Sequence, residues 1–242
     1  MFLNNEIISS DFRKELIFNS YVKGVNLAKG YGVLRKVNNE YNFFLNANTV
    51  GVFSVLANWK QEIQIIFESK SHMLYSKDYK SRDKRKKKEG HMHIIFSKSI
   101  PEIISANPNP KDDKRRNDLT NKMLKDTKDP VTGILNIGFK NQCIEVSRIY
   151  DGKRRYNINT KKKELTIIRK NNFFEEDVEL IKCSFDIEKI AGYTEKEKKN
   201  YPNNGIIWIK KYEDLDIYLP AKIKIETKWG SFVCLIKERE LK

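Results

Sequence analysis

No stretch of about eighteen apolar residues occurs anywhere in the chain, so no helix of it is built to cross a bilayer. Met1 to Asp11 lacks the basic start and long apolar centre of a secretory signal. Taken alone, that points to the cytosol, although a matured or truncated chain would read the same way. The local signatures of chemistry are missing as well: there is no Gly-x-Ser-x-Gly elbow, no Walker loop, no dinucleotide fingerprint and no His-Glu-x-x-His. An enzyme would need an active site dispersed over several strands. The reading is therefore of a non-enzymatic protein with no cofactor.

What the chain has is charge and strand-forming pattern. Hydrophobic residues make up 39% and aromatics 11% of its 242 residues, enough for a sizeable core and too much for wholesale disorder. The formal net charge of +15 raises the question of a nucleic-acid or anionic-surface partner. A plainer source competes with it, because the chain is rich in Lys, Ile and Asn throughout, as an AT-rich genome would produce. Its basic residues are interleaved with 32 acidic ones and concentrate only at Lys80 to Lys88 and Lys153 to Lys163.

Glycine turns and β-prone residues make 12–44 an antiparallel meander. In the segment Thr49 to Trp59, Val52, Phe53, Val55, Leu56 and Trp59 fall at helical spacing, which predicts a short amphipathic helix laid on the preceding sheet. The charge run Lys80 to Gly90 predicts a solvated hairpin tip. Residues 99–128, with three prolines and many charges, predict a polar connection carrying one polar helix near Asp118 to Lys125. Beyond it, Val131 to Phe139 reads as an apolar helix opened by Pro130. Asp151-Gly152 fits a two-residue type I′ hairpin loop. Ala221, Ile223, Ile225 and Thr227 alternate with Lys222, Lys224, Glu226 and Lys228, the mark of a strand with one core face and one wet face. Ten to twelve strands with two or three helices imply a mainly β protein, whose large antiparallel sheet must either curl or be covered.

Few residues offer chemistry. His91 and His93 share one face of a strand at metal-ligand spacing, but His72 is the one remaining histidine and a site needs three or four ligands, so no metal is expected. Glu175, Glu176 and Asp177 sit in a polar turn, without the enclosure that general acid and base work demands. Arg148, Lys153 and Arg155 flank the hairpin and form a candidate anion site, against the alternative that they pair with acids and hold its register. Cys143 and Cys183 are forty residues apart in sequence. A bridge between them would contribute about 3 to 4 kcal/mol on the chain-entropy model, leaving Cys234 as a small apolar residue. Three reduced thiols are the other reading, and spacing leaves both open.

Asp129-Pro130 before an apolar helix, Cys143, Tyr150-Asp-Gly-Lys-Arg-Arg-Tyr156, Cys183 and Ile190-Ala-Gly-Tyr193 together resemble the bacterial family called domain of unknown function 3108, found in Gram-negative envelopes. Tyr21 to Gly30, Ile207-Trp208, Leu219-Pro220 and Trp229-Gly230 extend the resemblance over nearly the whole chain. It implies one β-rich domain over 12–242, with 99–128 linking its halves. The sheet would be strongly curved and half-barrel-like, with two or three short helices on its concave side, similar to the lipoprotein carriers of the periplasm. It also implies a periplasmic location, where a Cys143–Cys183 bridge would persist. No catalytic residues come with the family. The expected role is binding a lipid or other hydrophobic ligand, or an envelope protein partner, in the concavity, with Val52, Phe53, Val55, Leu56 and Trp59 lining it; plain core packing is the competing use of that helix. The alternatives are a basic nucleic-acid or anionic-surface binder using Lys80 to Lys88, and a hydrolase with scattered residues.

Overall fold

Period-two alternation runs through most of the chain, and thirteen strands result. The computed structural model describes residues 12–239 apart from 57, 72, 87, 97, 140–142, 144–145, 213–216 and 229. The strands are β1 (Phe12–Val22), β2 (Val25–Val37), β3 (Glu40–Thr49), β4 (Trp59–Lys70), β5 (Met73–Arg85), β6 (Lys88–Ile95), β7 (Glu102–Asn107), β8 (Val146–Tyr150), β9 (Arg155–Ile168), β10 (Val178–Ala191), β11 (Asn204–Tyr212), β12 (Ile217–Thr227) and β13 (Gly230–Glu238). Among the described residues there are four short helices, α1 (Val52–Leu56), α2 (Asn121–Leu124), α3 (Pro130–Gly138) and α4 (Glu195–Asn200).

All thirteen strands form one antiparallel sheet in the order β7-β6-β5-β4-β3-β2-β1-β13-β12-β11-β10-β9-β8. It consists of two meanders sewn together where β1 pairs with β13, from Leu16 opposite Glu238 to Val22 opposite Phe232. The edges β7 and β8 are consecutive in sequence but lie at opposite ends of the sheet, so the connection between them must span the opening. A sheet of this width curls rather than staying flat. The curl is visible in the main core, where Phe67 of β4 and Ile94 of β6 share one cluster with Leu219 of β12 and Tyr150 of β8. That shared face is the concave one, and the sheet does not close into a barrel.

Helix α3 lies inside the curve. Asp129 caps it, accepting from the N–H groups of Val131 and Thr132 at 2.9 Å, and Pro130 takes the first turn, where its missing N–H costs nothing. Its Gly133 approaches so closely that a Cβ would meet Ile149 at 2.7 Å, and a Cβ on Gly138 would meet Ile209 at the same distance. The helix holds both halves of the sheet. Strand β5 outlasts β6, whose register begins at Asp78 opposite Ile95, and the exposed edge before it is satisfied by side chains of α3. Asn136 accepts from Leu74 N–H at 3.0 Å and donates to Leu74 C=O at 2.8 Å. Ser76 Oγ donates to Asp129 Oδ2 at 2.5 Å and accepts from Asp129 N–H. On the other side, Ser147 of β8 donates to Gly133 C=O. Buried backbone groups need such partners, and here a helix supplies what a neighbouring strand would have given.

Several expectations are corrected. The charge run from Lys80 to Gly90 is solvated at the end of the β5–β6 hairpin, but it is paired strand and not loop, since β5 continues to Arg85 and β6 starts at Lys88. Charged residues are tolerated there because Lys80, Arg82 and Lys84 alternate onto the exposed outer face. The connection 99–128 contains the edge strand β7, a 3-10 turn at Pro110–Asp112 and α2. The loop after β8 has four residues, since Tyr150 pairs with Arg155. Asp151 organises it by accepting from the N–H groups of Lys153 and Arg154. The expected helix up to Trp59 shrinks to α1, Trp59 opens β4, and Val55 is 83% exposed. A single turn cannot present a stripe to the sheet, so α3 takes the concave position instead.

Candidate functional site

The place where the sheet fails to close gathers basic side chains around a buried lysine. Residue 128 forms a parallel bridge with Ile149, its N–H donating to Arg148 C=O and its C=O accepting from Tyr150 N–H, both at 2.9 Å. The next turn back is tied down too, with Asp126 N–H donating to Ser99 C=O at 2.8 Å. Segment 126–129 thus caps the β8 edge and approaches the overhang of β5. Between them lies a cleft of about 940 Å³ with walls from the end of β4, from β5 and β8, and from Phe96, Lys98, Ser99 and residues 126–128. Five basic side chains, of Lys70, Lys77, Lys98, Lys128 and Arg148, line it against two acids, Glu68 and Asp126. Its apolar members include Tyr75 and Val146, which are 40% and 46% exposed.

Lys128 is the anomaly. It is only 8% exposed, and among the described residues its ammonium has no ion pair, only the ring of Tyr75 at 5.2 Å. Burial lowers its pKa from the ordinary lysine value and the neighbouring Arg148 adds to that, while Asp126 and Asp129 oppose it. Asp129, fully buried, has its carboxyl pushed up by desolvation in spite of the hydrogen bonds from Ser76, Thr132 and Val131. Lys70 and Lys77, by contrast, are neutralised by Glu68 at 2.6 and 2.9 Å.

The anion site expected at Arg148, Lys153 and Arg155 is not assembled. Arg155 is 5% exposed and spends its donors on Met123 C=O at 2.8 Å, Tyr156 C=O at 2.6 Å and Asn157 Oδ1 at 2.7 Å. Its pKa falls to about 10 because of burial first and Arg148 second. Arg155 is a clamp between the hairpin and α2. Lys153 lines a different cleft, with Arg116 and Gly192, while Arg148 joins Lys128. Lys128 was missed in the sequence because nothing local separates it from the other basic residues.

The remaining candidates have structural or solvated roles. His91 and His93 do share the outer face of β6, with His93 Nε2 at 3.3 Å from Asp78; His72 lies outside the described residues, and among those no group of three or more side chains could hold a metal. Glu175 pairs with Lys237 at 3.0 Å. The Asp177 carboxyl is held below the usual range by Lys170 N–H and then by Arg169. Phe53 is half-buried and Val55 faces solvent; the side chains of Val52 and Leu56 lie outside the described set. Cys143 and Cys183 are bridged, with Cα atoms 6.0 Å apart, which ties the segment after α3 to the middle of β10. Cys234 is free and half-buried.

The hairpin and the segment 190–193 interlock. A Cβ on Gly192, which has φ of +80°, would lie 2.0 Å from Lys153 C=O. Arg154 pairs with Asp151 at 2.7 Å and lies over the Tyr201 ring at 4.7 Å. Arg116 grips Gly192 C=O at 2.8 Å and Glu197 at 2.6 and 3.0 Å. With that interlock in place, the comparison with known families is decisive. The model of the family described as "Protein of unknown function (DUF3108)" matches residues 18–237. The chain belongs to the DUF3108 family. No curated protein matches it. Among solved structures, a β-barrel-like protein of the DUF1849 domain of unknown function from Brucella abortus is similar over 95% of this chain and 98% of its own, with a TM-score of 0.47 and 9% identity. A domain assigned to outer membrane lipoprotein sorting, from Vibrio parahaemolyticus, covers 96% and 87% at a TM-score of 0.23 and 9% identity. In this DUF3108 chain, the residues that carry the family pattern between 129 and 193 cap, bridge and interlock the fold.

Proposed function

We propose that this protein is a non-enzymatic periplasmic component of the cell envelope that binds an amphiphilic ligand at the seam of its curled sheet. The observation that carries the reading is the open cleft of about 940 Å³ between β5 and β8, where exposed Tyr75 and Val146 stand beside uncompensated positive charge. A concave space that combines apolar side chains with a few converging polar ones has the composition of a ligand site. A buried Cys143–Cys183 bridge supports an oxidising compartment, since cytosolic thiols are kept reduced. The concavity itself is occupied by α3, so the ligand is held at the seam and not deep in the bowl.

Native mass spectrometry of protein exported to a Gram-negative periplasm and purified gently tests this. The expected result is a bound amphiphile that dissociates at high collision energy, and displacement of it by fluorescent long-chain probes. Bare protein that also ignores those probes would end the proposal. Polyanion binding through the outer face has less support, because Lys80 pairs with Asp78 and Lys84 with Glu89.

A further inference from the structure

A lysine side chain buried without a carboxylate partner is costly, and proteins seldom keep one without a use for it. Lys128 is such a group, and its position is not an accident of a loose side chain. Its backbone is fixed to both Arg148 C=O and Tyr150 N–H, so the side chain is carried by a rigid edge. The ring of Tyr75 at 5.2 Å returns part of the lost solvation. Arg148, whose guanidinium has no hydrogen bond or ion pair among the described residues, places a second positive charge close enough to oppose protonation of Lys128. Among the described residues no carboxylate pairs with either, although Asp126, which lines the same cleft, offsets part of their charge without contact. Asp129, the fully buried acid next in sequence, is committed to capping α3 and to Ser76. Lys98 lines the same cleft and has no protein partner among the described residues.

We infer that the seam cleft is a recognition site for an oxyanionic head group, phosphate or carboxylate, with the Lys128 ammonium and the Arg148 guanidinium as its ligands. An ammonium gives a compact point charge and a guanidinium a planar fork, a combination that suits an oxygen-bearing anion with more than one acceptor. The anion would complete the charge balance of Lys128 and bridge it to Arg148. Met73, Tyr75 and Val146 border the same space, so an acyl or other apolar tail leaving the head group has a surface to follow. This assignment rests on the seam being the ligand site and adds the chemistry of the ligand's charged end.

The test measures binding of dodecyl phosphate, dodecanoate, uncharged dodecyl maltoside and inorganic phosphate by calorimetry to the intact protein and to Lys128→Met. Both dodecyl anions are expected to bind, with the tighter one naming the head group, and Lys128→Met is expected to weaken them about tenfold to a hundredfold. Maltoside binding should be weak and equal in both proteins. Dodecyl anions bound equally well by both proteins would overturn the head-group assignment while leaving the seam an apolar site. Inorganic phosphate binding as tightly as dodecyl phosphate would support the assignment and remove the amphiphile. No binding of any probe would end both. Because the substitution also changes packing at a buried position, the Lys128 side-chain amine is titrated by NMR in the unmodified protein as well. Saturation with dodecyl phosphate should raise its pKa, and an unmoved titration curve would overturn the inference.

Discussion

If α3 substitutes for a missing strand, then Asn136 is the residue whose loss should hurt most for its size. It is 1% exposed, and its amide meets the Leu74 N–H at 3.0 Å and the Leu74 C=O at 2.8 Å. Replacing it by leucine keeps the volume and removes both partners. Two buried backbone groups are then orphaned, each worth about 1–3 kcal/mol, so the loss should be about 2–6 kcal/mol. Against a total stability on the order of 5–15 kcal/mol that is a large fraction, and it should lower the Tm by roughly 5–20 °C. Urea denaturation followed by tryptophan fluorescence, without reductant, gives the free energy directly. Ser147→Ala calibrates it, since one hydroxyl donating to Gly133 C=O should account for about 1 kcal/mol. Asn136→Asp adds a pH signature. A carboxylate facing Leu74 C=O is disfavoured in the folded state, so the folded pKa lies above the unfolded one. The variant's deficit should therefore be smallest below about pH 4 and grow as pH rises through the folded pKa. Were Asn136→Leu to cost less than about 1 kcal/mol, the β5 overhang would not depend on α3, and the strand-substitute argument would fail.

Reduction, or the double change Cys143→Ala with Cys183→Ala, should lower stability by about 4 kcal/mol for a 40-residue separation; a urea midpoint indifferent to reductant would contradict that. Burial raises the Asp129 pKa, so the intact protein should lose stability as pH rises from about 4 through the folded value, while Asp129→Asn, which keeps the cap, should flatten that slope; parallel pH–stability curves would refute the assignment. Gly192→Ala meets both a positive φ and Lys153 C=O at 2.0 Å and should cost at least about 2 kcal/mol. Gly51→Ala, with φ of +57° and open space around it, should cost about 1 kcal/mol, and equal melting shifts for the two would remove the interlock argument.

Where residues act locally, their role was legible. Asp129-Pro130 specifies a helix start by itself, and α3 begins there. The alternation of 221–228 is a strand because Ile223 and Ile225 pack against the cluster around Cys183. Strand lengths were not legible where one face is solvated: Lys80 to Arg85 reads as loop because its outer side chains are charged, yet the wet face of a strand accepts charge freely. The sequence of β7, bounded by Pro101 and Pro108, hides a strand because edge pairing needs no strong pattern. Lys128 is the extreme case. One basic residue among 47 carries no signal until the fold buries it beside Arg148 with no carboxylate paired to it.

The incomplete closure of the sheet connects these observations. In a closed barrel the two edges, β7 and β8, would satisfy each other, and neither α3 nor segment 126–129 would be needed at the opening. Because β5 runs past the end of β6, Asn136 completes one edge and Ser76 ties it to Asp129, while residue 128 completes the other. A helix and a single bridging residue are thinner than a strand pair, so a gap remains, and the side chain brought to that gap by the bridge is the unpaired lysine. The feature that costs the fold a row of ladder hydrogen bonds is thus the one that creates a cleft with an uncompensated charge. If the Asn136 variants showed β5 to be independent of α3, the bridge to β8 would still hold Lys128, but the opposite wall of the cleft, with Tyr75, would lose its stated support. The stability measurement on α3 and the binding measurement on Lys128 therefore probe one physical idea from opposite sides of the seam.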